Sequence, residues 1–188
     1  MRIIAGSKRG LRLAQVGKGD PAAQLRPTSD RVREALFNTL QGGRFGDPIT
    51  DAIVLDLFAG TGALAFEALS RGAGSATLVE KAGKARALIS QNLWLTGFQG
   101  DVVLLPLDAL RLKPNSGDAA TLVFLDPPYS KSLGARALDT ALAQGWIAPN
   151  AMIVWEEAAP QPAPNGFVLL EHRRYGDTHV TFLKASSE

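Results

Sequence analysis

Cysteine is absent from the 188 residues, which excludes disulfides, thiolate metal sites and cysteine nucleophiles together. A chain without thiols suits a reducing compartment, so a cytoplasmic protein is expected. Histidine occurs only at His172 and His179. Both read as polar positions on strands near a turn, and no metal is expected. Long apolar runs are also missing: every run is short and interrupted, so no transmembrane helix or membrane partner is expected. Met1 to Gly6 carry one charge and too few apolar residues for a secretory signal. There is no internal repeat. The one compositionally biased stretch is proline-rich, residues 158–166.

What is present suits a globular chain of one ordinary domain with an appendage: 46% of residues are hydrophobic and 20% charged. The net charge of +2 conceals an asymmetry. Residues 1–44 hold nine Lys or Arg against three Asp or Glu, and the remainder holds eleven against fifteen. A basic arm on a slightly acidic body points to a polyanionic partner met by the arm. Residues 1–45 therefore read as a basic extension and 46–188 as the main domain. Within the arm, Gly6 and Gly10 bracket a turn between apolar and basic residues, which predicts a β-hairpin with Lys8 and Arg9 at its tip and Arg12 beside it. After a loop at 18–21, Pro27, a capping Thr28 or Ser29 and Asp30 open a helix running to about Leu40. Val32, Ala35, Leu36 and Leu40 form its apolar stripe, with Arg33 at the margin.

From Ile53 the chain alternates strand and helix. Apolar strands are expected up to Phe58 and at 76–80, 102–105, 122–125 and 152–155. Helices are expected at about 62–71, 84–95 and 135–144. Continuously apolar strands alternating with helices predict a doubly wound, mostly parallel sheet. Two further strands, about 167–175 and 179–184, surround Gly176-Asp177 and predict a closing antiparallel hairpin. In such a sheet the strand C-termini share one edge, where ligands bind. Glu80, Asp108 and Asp126 all follow such ends.

Two motifs carry chemistry. Asp56-Leu57-Phe58-Ala59-Gly60-Thr61-Gly62 is a strand that breaks into a glycine turn and resumes as a helix. Its glycines let backbone approach a ligand, and the new helix offers free N–H groups and a positive dipole end. Gly60-x-Gly62-x-x-Ala65 with Glu80 downstream fits an adenosine-type cofactor without saying which. The second motif, Asp126-Pro127-Pro128-Tyr129, is more specific. Two prolines remove two backbone donors and leave carbonyls free to accept. With the Asp126 carboxylate and the flat face of Tyr129, the loop can hold a planar heterocycle with an exocyclic amine.

These residues resemble the class I S-adenosylmethionine-dependent methyltransferases that act on base amines. The opening Met1-Arg2-Ile3-Ile4-Ala5-Gly6, the stretch from Arg26-Pro27-Thr28 through Asp30 to Asn38, the glycine turn, and Tyr175-Gly176-Asp177-Thr178 look like the RsmD family, bacterial 16S ribosomal RNA guanine-N2 methyltransferases. The resemblance implies a Rossmann-like methyltransferase fold and S-adenosylmethionine as cofactor. It implies 16S ribosomal RNA as substrate, free or within the small subunit, and a monomer. It assigns cofactor binding to Asp56, Phe58, Ala59, Gly60, Thr61, Gly62, Glu80, Lys81, Asp108 and Asp126. Glu80 would take the ribose hydroxyls and Asp108 the adenine amine. Asp126, Pro127 and Tyr129 would take the target base as the catalytic set. Arg2, Lys8, Arg9, Arg12, Arg26, Arg31 and Arg33 would meet RNA, although Arg26, Arg31 and Arg33 could equally brace the rim. Three other readings compete. A DNA or RNA adenine-N6 methyltransferase keeps the chemistry, but a DNA enzyme would need a target-recognition region for which 188 residues leave little space. A nicotinamide-dependent oxidoreductase leaves the Asp-Pro-Pro-Tyr loop unexplained. A non-catalytic RNA-binding module does not need aligned strand-end motifs.

Overall fold

The computed structural model describes residues 1–14, 29–128 and 133–187. The first helix, α1 (Asp30–Gln41), opens where the Ser29 side chain accepts the Val32 N–H at 3.2 Å. Then follow β1 (Ile53–Leu57), α2 (Ala63–Ser70), β2 (Ser75–Val79), α3 (Gly83–Thr96) and β3 (Val102–Leu105). The chain continues through β4 (Ala120–Leu125), α4 (Leu133–Ala143), β5 (Ile147–Glu157), β6 (Phe167–Tyr175) and β7 (Thr178–Ala185). Helix α3 stops at Gly97, whose φ of +76° reverses the chain without a Cβ penalty.

The seven strands form one sheet in the order β3-β2-β1-β4-β5-β7-β6. Strands β1 to β5 pair in parallel; β7 is antiparallel to both β5 and β6. The strand order reverses between β1 and β4, so the crevice of a doubly wound sheet opens at their C-terminal ends. Alternation splits the strand residues into two cores. Val54, Leu78, Phe124, Val154 and Phe182 pack with α1, α2 and α3. Leu55, Leu57, Val123, Leu125 and Trp155 pack with α4 and the short turn Ala109–Arg111.

The expected elements are all present, with two informative differences. Strand β5 extends beyond the apolar run to Glu157, because β7 continues to pair with it through Glu156↔Val180 and Glu157↔His179. In α1 the buried face is Arg33, Leu36, Phe37 and Leu40, so Arg33 is not marginal but central. Its guanidinium donates to the Arg2 carbonyl and to Asp30 Oδ1 at 3.0 Å, and lies 3.8 Å from Glu67.

Glu67 on α2 is the centre of this arrangement. It is wholly buried, and its carboxylate accepts the backbone N–H groups of Ile4 at 2.7 Å and Ala5 at 3.1 Å, and Arg71 Nε at 2.7 Å. Arg71 in turn donates to Gln41 on α1 and lies over the Phe37 ring. The N-terminal segment is thereby fixed along α2. It is a small hairpin, paired at Arg2↔Arg12 around a tight turn at Gly6–Lys8, and it buries Ile3 and Leu13 in the core. Gly6, at φ +80°, lies so close to the end of α2 that an added Cβ would sit 1.7 Å from the Ser70 carbonyl oxygen. On the far side, Tyr175 Oη and Arg173 both reach Thr39 Oγ1, at 2.8 and 3.0 Å, and tie the β6–β7 hairpin to α1.

Removing one partner of a buried charge network leaves the others uncompensated, at about 3–5 kcal/mol. Glu67→Ala is accordingly expected to lose about that much stability in urea unfolding and to expose the N-terminal segment to proteolysis. A variant within 1 kcal/mol of the wild type, on the order of a surface substitution, would show that the network is not what holds the hairpin.

Candidate active site

Register places the candidate residues. Leu105, Val79, Leu57, Leu125 and Trp155 form one row across β3, β2, β1, β4 and β5. One residue further along lie Glu80, Phe58, Asp126 and Glu156. Asp56 is two positions before Phe58, so it shares their face of the sheet. The glycine turn, Glu80 and Asp126 are thus brought to one edge at the point where the strand order reverses.

The turn leaves β1 through Phe58, a bulky residue at φ +65°, then Gly60 at +57° and Gly62 at +77°. Positive φ at a non-glycine residue is strained and is characteristic of ligand-binding turns. An added Cβ at Gly62 would meet the Phe66 ring at 2.6 Å and Leu78 at 2.8 Å, so only glycine fits there. Glu80 holds the turn: one carboxylate oxygen accepts the Gly60 N–H at 2.9 Å and the other the Ala82 N–H at 2.7 Å. Each oxygen keeps a second lone pair, which suits hydroxyl donors such as those of a ribose. At the rim Lys81 Nζ meets Asp108 Oδ2 at 3.1 Å, while Asp108 Oδ1 accepts the Leu110 N–H at 3.0 Å. That backbone bond, aided by Lys81, holds the Asp108 carboxyl below its ordinary value.

Asp56, one of the expected cofactor-binding residues, lies within β1. It is 2% exposed, and the Ala65 N–H donates to it. It therefore supports the turn and the start of α2 from beneath. Burial pushes its carboxyl up to about 8, and the charges of Glu80 and Glu156 push the same way. Asp126 is half-buried at the mouth of the crevice. Burial, followed by the charges of Glu156, Asp56 and Glu157, raises its carboxyl well above the usual range. Asp56 Oδ2 is buried with no hydrogen-bond donor. Carboxylates gathered under so little solvent favour a cationic ligand, which would relieve their mutual repulsion. An adenosine bearing a positive charge near its ribose fits this set: hydroxyl acceptors at Glu80, close backbone approach at the turn, and acids facing the charge.

Beyond Asp126, Pro127 is buried and Pro128 half-buried, and neither proline presents a backbone N–H. Tyr129 lies outside the described residues. The helix that follows the loop is seated closely: a Cβ on Gly134 would fall 2.3 Å from the Trp155 ring, beside the crevice.

The basic residues separate into groups. Arg2, Arg9, Arg12 and Arg31 are exposed and Lys8 is half-buried, whereas Arg26 lies outside the described residues. Arg33 is 0% exposed and committed to Asp30, Glu67 and the Arg2 carbonyl, so it braces the fold and has no face for an RNA phosphate. Sequence reading missed Asn92, which is fully buried on α3. Its side chain accepts the Ala14 N–H at 2.7 Å and donates to the Ala14 and Thr61 carbonyls at 3.3 and 3.0 Å. One amide therefore connects the end of the hairpin to the glycine turn. Glu156 and Glu157 were also missed, although a carboxylate pair directly after an apolar strand is the same signal that pointed to Glu80 and Asp126.

The family model for conserved hypothetical protein 95 matches residues 1–184. Ribosomal RNA small subunit methyltransferase D of Escherichia coli is 37% identical over 164 residues, covering 87% of this chain and 78% of the relative. The Haemophilus influenzae protein of the same name is 35% identical over 182 residues, 94% of this chain and 89% of the relative. The solved structure of yhhF from Escherichia coli superposes with a TM-score of 0.82 at 31% identity, covering 100% of this chain and 99% of that one.

The raised Asp56 carboxyl has a consequence for stability. Its proton is held more tightly in the folded chain, with a value of about 8, than in the unfolded one at the usual 3.8. Between those values the folded state binds more protons, so this contribution is full below the lower value and lost as pH rises through the upper. Thermal unfolding without ligand should therefore show Tm falling from about pH 5 to about pH 8, and Asp56→Asn should flatten that fall. A variant whose Tm tracks the wild type across the window would remove Asp56 as its source.

Proposed function

The chain belongs to the conserved hypothetical protein 95 family, the RsmD family, and from that premise we propose that it moves a methyl group from S-adenosylmethionine to the N2 amine of a guanine in 16S ribosomal RNA. The observation that carries this reading is the convergence at one sheet edge of the Glu80-braced glycine turn and the Asp126-Pro127 loop over a bed of buried acids. Residues 46–188 carry the transfer, and the basic segment 1–45 meets the RNA. The enzyme works as a monomer in the cytoplasm, on free RNA or on the small subunit.

When bound, S-adenosylmethionine supplies a methyl group already activated on a sulfonium. Glu80 holds the ribose hydroxyls, the turn from Phe58 to Gly62 lets the cofactor approach, and Lys81 and Asp108 close the adenine side. The acids beneath the turn favour the positive charge. The Asp126 carboxylate and the Pro127 carbonyl accept the two hydrogens of the guanine amine, and Tyr129 stacks on the base. The amine needs this help because its lone pair is delocalised into the ring. Its hydrogens become more acidic as nitrogen bonds to carbon, so both hydrogen bonds strengthen toward the transition state. The methylated amine must then lose a proton. Asp126, whose proton affinity is raised by burial and by the charges of Glu156, Asp56 and Glu157, is the group that accepts it.

Methylation-deficient small subunits and free 16S RNA, incubated with labelled cofactor and mapped for the modified base, test the assignment. Label on an adenine, or on DNA alone, would overturn it. Binding is tested separately: Glu80→Ala should weaken S-adenosylmethionine by about 1.5–3 kcal/mol in calorimetric titration, the loss of a charged acceptor. An unchanged Kd would remove Glu80 from the site. For the chemistry, Asp126→Ala should slow single-turnover transfer by about 10²–10³-fold, the scale of losing a preorganised polar contact at a reacting centre. Asp126→Asn should fall between Ala and wild type. A folded Asp126→Ala enzyme that transfers methyl at the wild-type rate would show that this loop is not catalytic.

A further inference from the structure

The hairpin tip and the end of α3 meet at the opposite end of α2 from the glycine turn. Lys8 donates its backbone N–H to Ser70 Oγ at 2.9 Å, and Ser70 Oγ donates to the Ala5 carbonyl at 2.6 Å, so the tip is anchored to the last residue of α2. The Lys8 ammonium lies 5.5 Å from the centroid of the Phe98 ring and 3.8 Å from where a Cβ on Gly97 would be. Trp94 is on the last turn of α3, and its side chain is 80% exposed while Asn92 and Thr96 on the same turn are buried. Trp94 is three residues before Gly97, where α3 ends and the Lys8 ammonium comes close, so the indole and the ammonium lie at the same end of α3. Arg9 and Arg12 are exposed on the adjoining hairpin.

An exposed indole, a second ring already carrying a cation, and an exposed guanidinium at the tip match the parts of a nucleotide. A π face suits an unstacked base, and fixed cations suit its phosphates. The charge favours RNA over an apolar protein partner, which would have to bury those cations. Resting on the ribosomal RNA reading above, we propose that Trp94, Phe98 and Lys8, with Arg9, form an anchor for an unpaired nucleotide of the RNA substrate outside the methyl-transfer crevice. Lys8 sits on the far end of α2 from the glycine turn, and the Trp94 indole is exposed on α3 whereas Asn92, which reaches the turn, is buried. The anchor therefore acts on RNA binding and register, away from the reacting atoms.

The test is binding and steady-state kinetics of Trp94→Ala with methylation-deficient 16S RNA, free and within the small subunit. Folding is checked by circular dichroism; an exposed side chain leaves no cavity. Loss of one stacked base predicts a Kd and KM for free RNA raised about 5–100-fold, with kcat changed by less than about threefold. Trp94→Phe should recover most of the affinity. The salt slope should stay at the wild-type value in Trp94→Ala, whereas Lys8→Ala should lower it by about 0.7 for a single-stranded contact. Unchanged RNA affinity in Trp94→Ala, with an active wild type, overturns the anchor and leaves the enzyme reading intact. Weakened binding to the assembled subunit but not to free RNA also overturns it, in favour of a protein contact. A wild type that methylates no RNA overturns the enzyme reading, and the anchor with it.

Discussion

Glu67 has no access to water and no choice of partners. Its two oxygens accept from two backbone amides of the N-terminal segment and from Arg71, and Arg33 of α1 completes the charge balance. A buried carboxylate is tolerated only while such donors remain in place. That constraint joins three parts of the chain far apart in sequence: the hairpin, α1 and α2. It also fixes direction. The hairpin runs the length of α2, with its tip on Ser70 and its open end at Asn92 and Thr61. The basic tip and the glycine turn therefore occupy opposite ends of one helix.

The crevice uses charge in the opposite way. Around Glu67, opposite charges are matched; beneath the turn, like charges are held together. Asp56 and Asp126 are both raised by burial and by neighbouring carboxylates. Such a set costs stability when empty at neutral pH, and a cationic ligand reverses that cost, which makes ligand binding and folding stability thermodynamically linked. The strain at Phe58 belongs to the same economy, since strained backbone persists where a surrounding fold over-determines it. Here the over-determination is visible in the Glu80 bonds to Gly60 and Ala82, and in Gly62 packed against Phe66.

Asn92 shows how the two regions communicate. One buried amide bonds both Ala14 of the hairpin and the carbonyl of Thr61, so the hairpin and the glycine turn share one side chain. The hairpin and the glycine turn are thus joined through α3. The outer face of the same helix carries Trp94.

Much of this was legible in the amino-acid order because it is local. A run of apolar residues, a glycine turn and a new helix are set by backbone sterics within about ten residues. So the parallel sheet, the turn at 58–62 and the carboxylates at Glu80 and Asp126 could be read directly. The closing hairpin at Gly176 followed from turn chemistry alone. The rest depended on partners distant in sequence. Helical spacing put Arg33 at the margin because a charged side chain is ordinarily at the surface; only the meeting of Glu67, Asp30 and the Arg2 carbonyl makes its burial favourable. The apolar run of β5 ends at Trp155, but pairing with β7 carries the strand on to Glu157 and brings Glu156 into the acid cluster. Periodicity shows that Asn92 and Trp94 lie on opposite faces of one helix; it does not show that one reaches the glycine turn and the other is left exposed. The order of the amino acids was enough to read the elements, their succession and the strand-end carboxylates. Which charges are buried together, and which end of α2 the hairpin tip and the glycine turn occupy, were decided by tertiary packing, because the energy of a buried charge depends on donors that only the folded chain brings within about 3 Å.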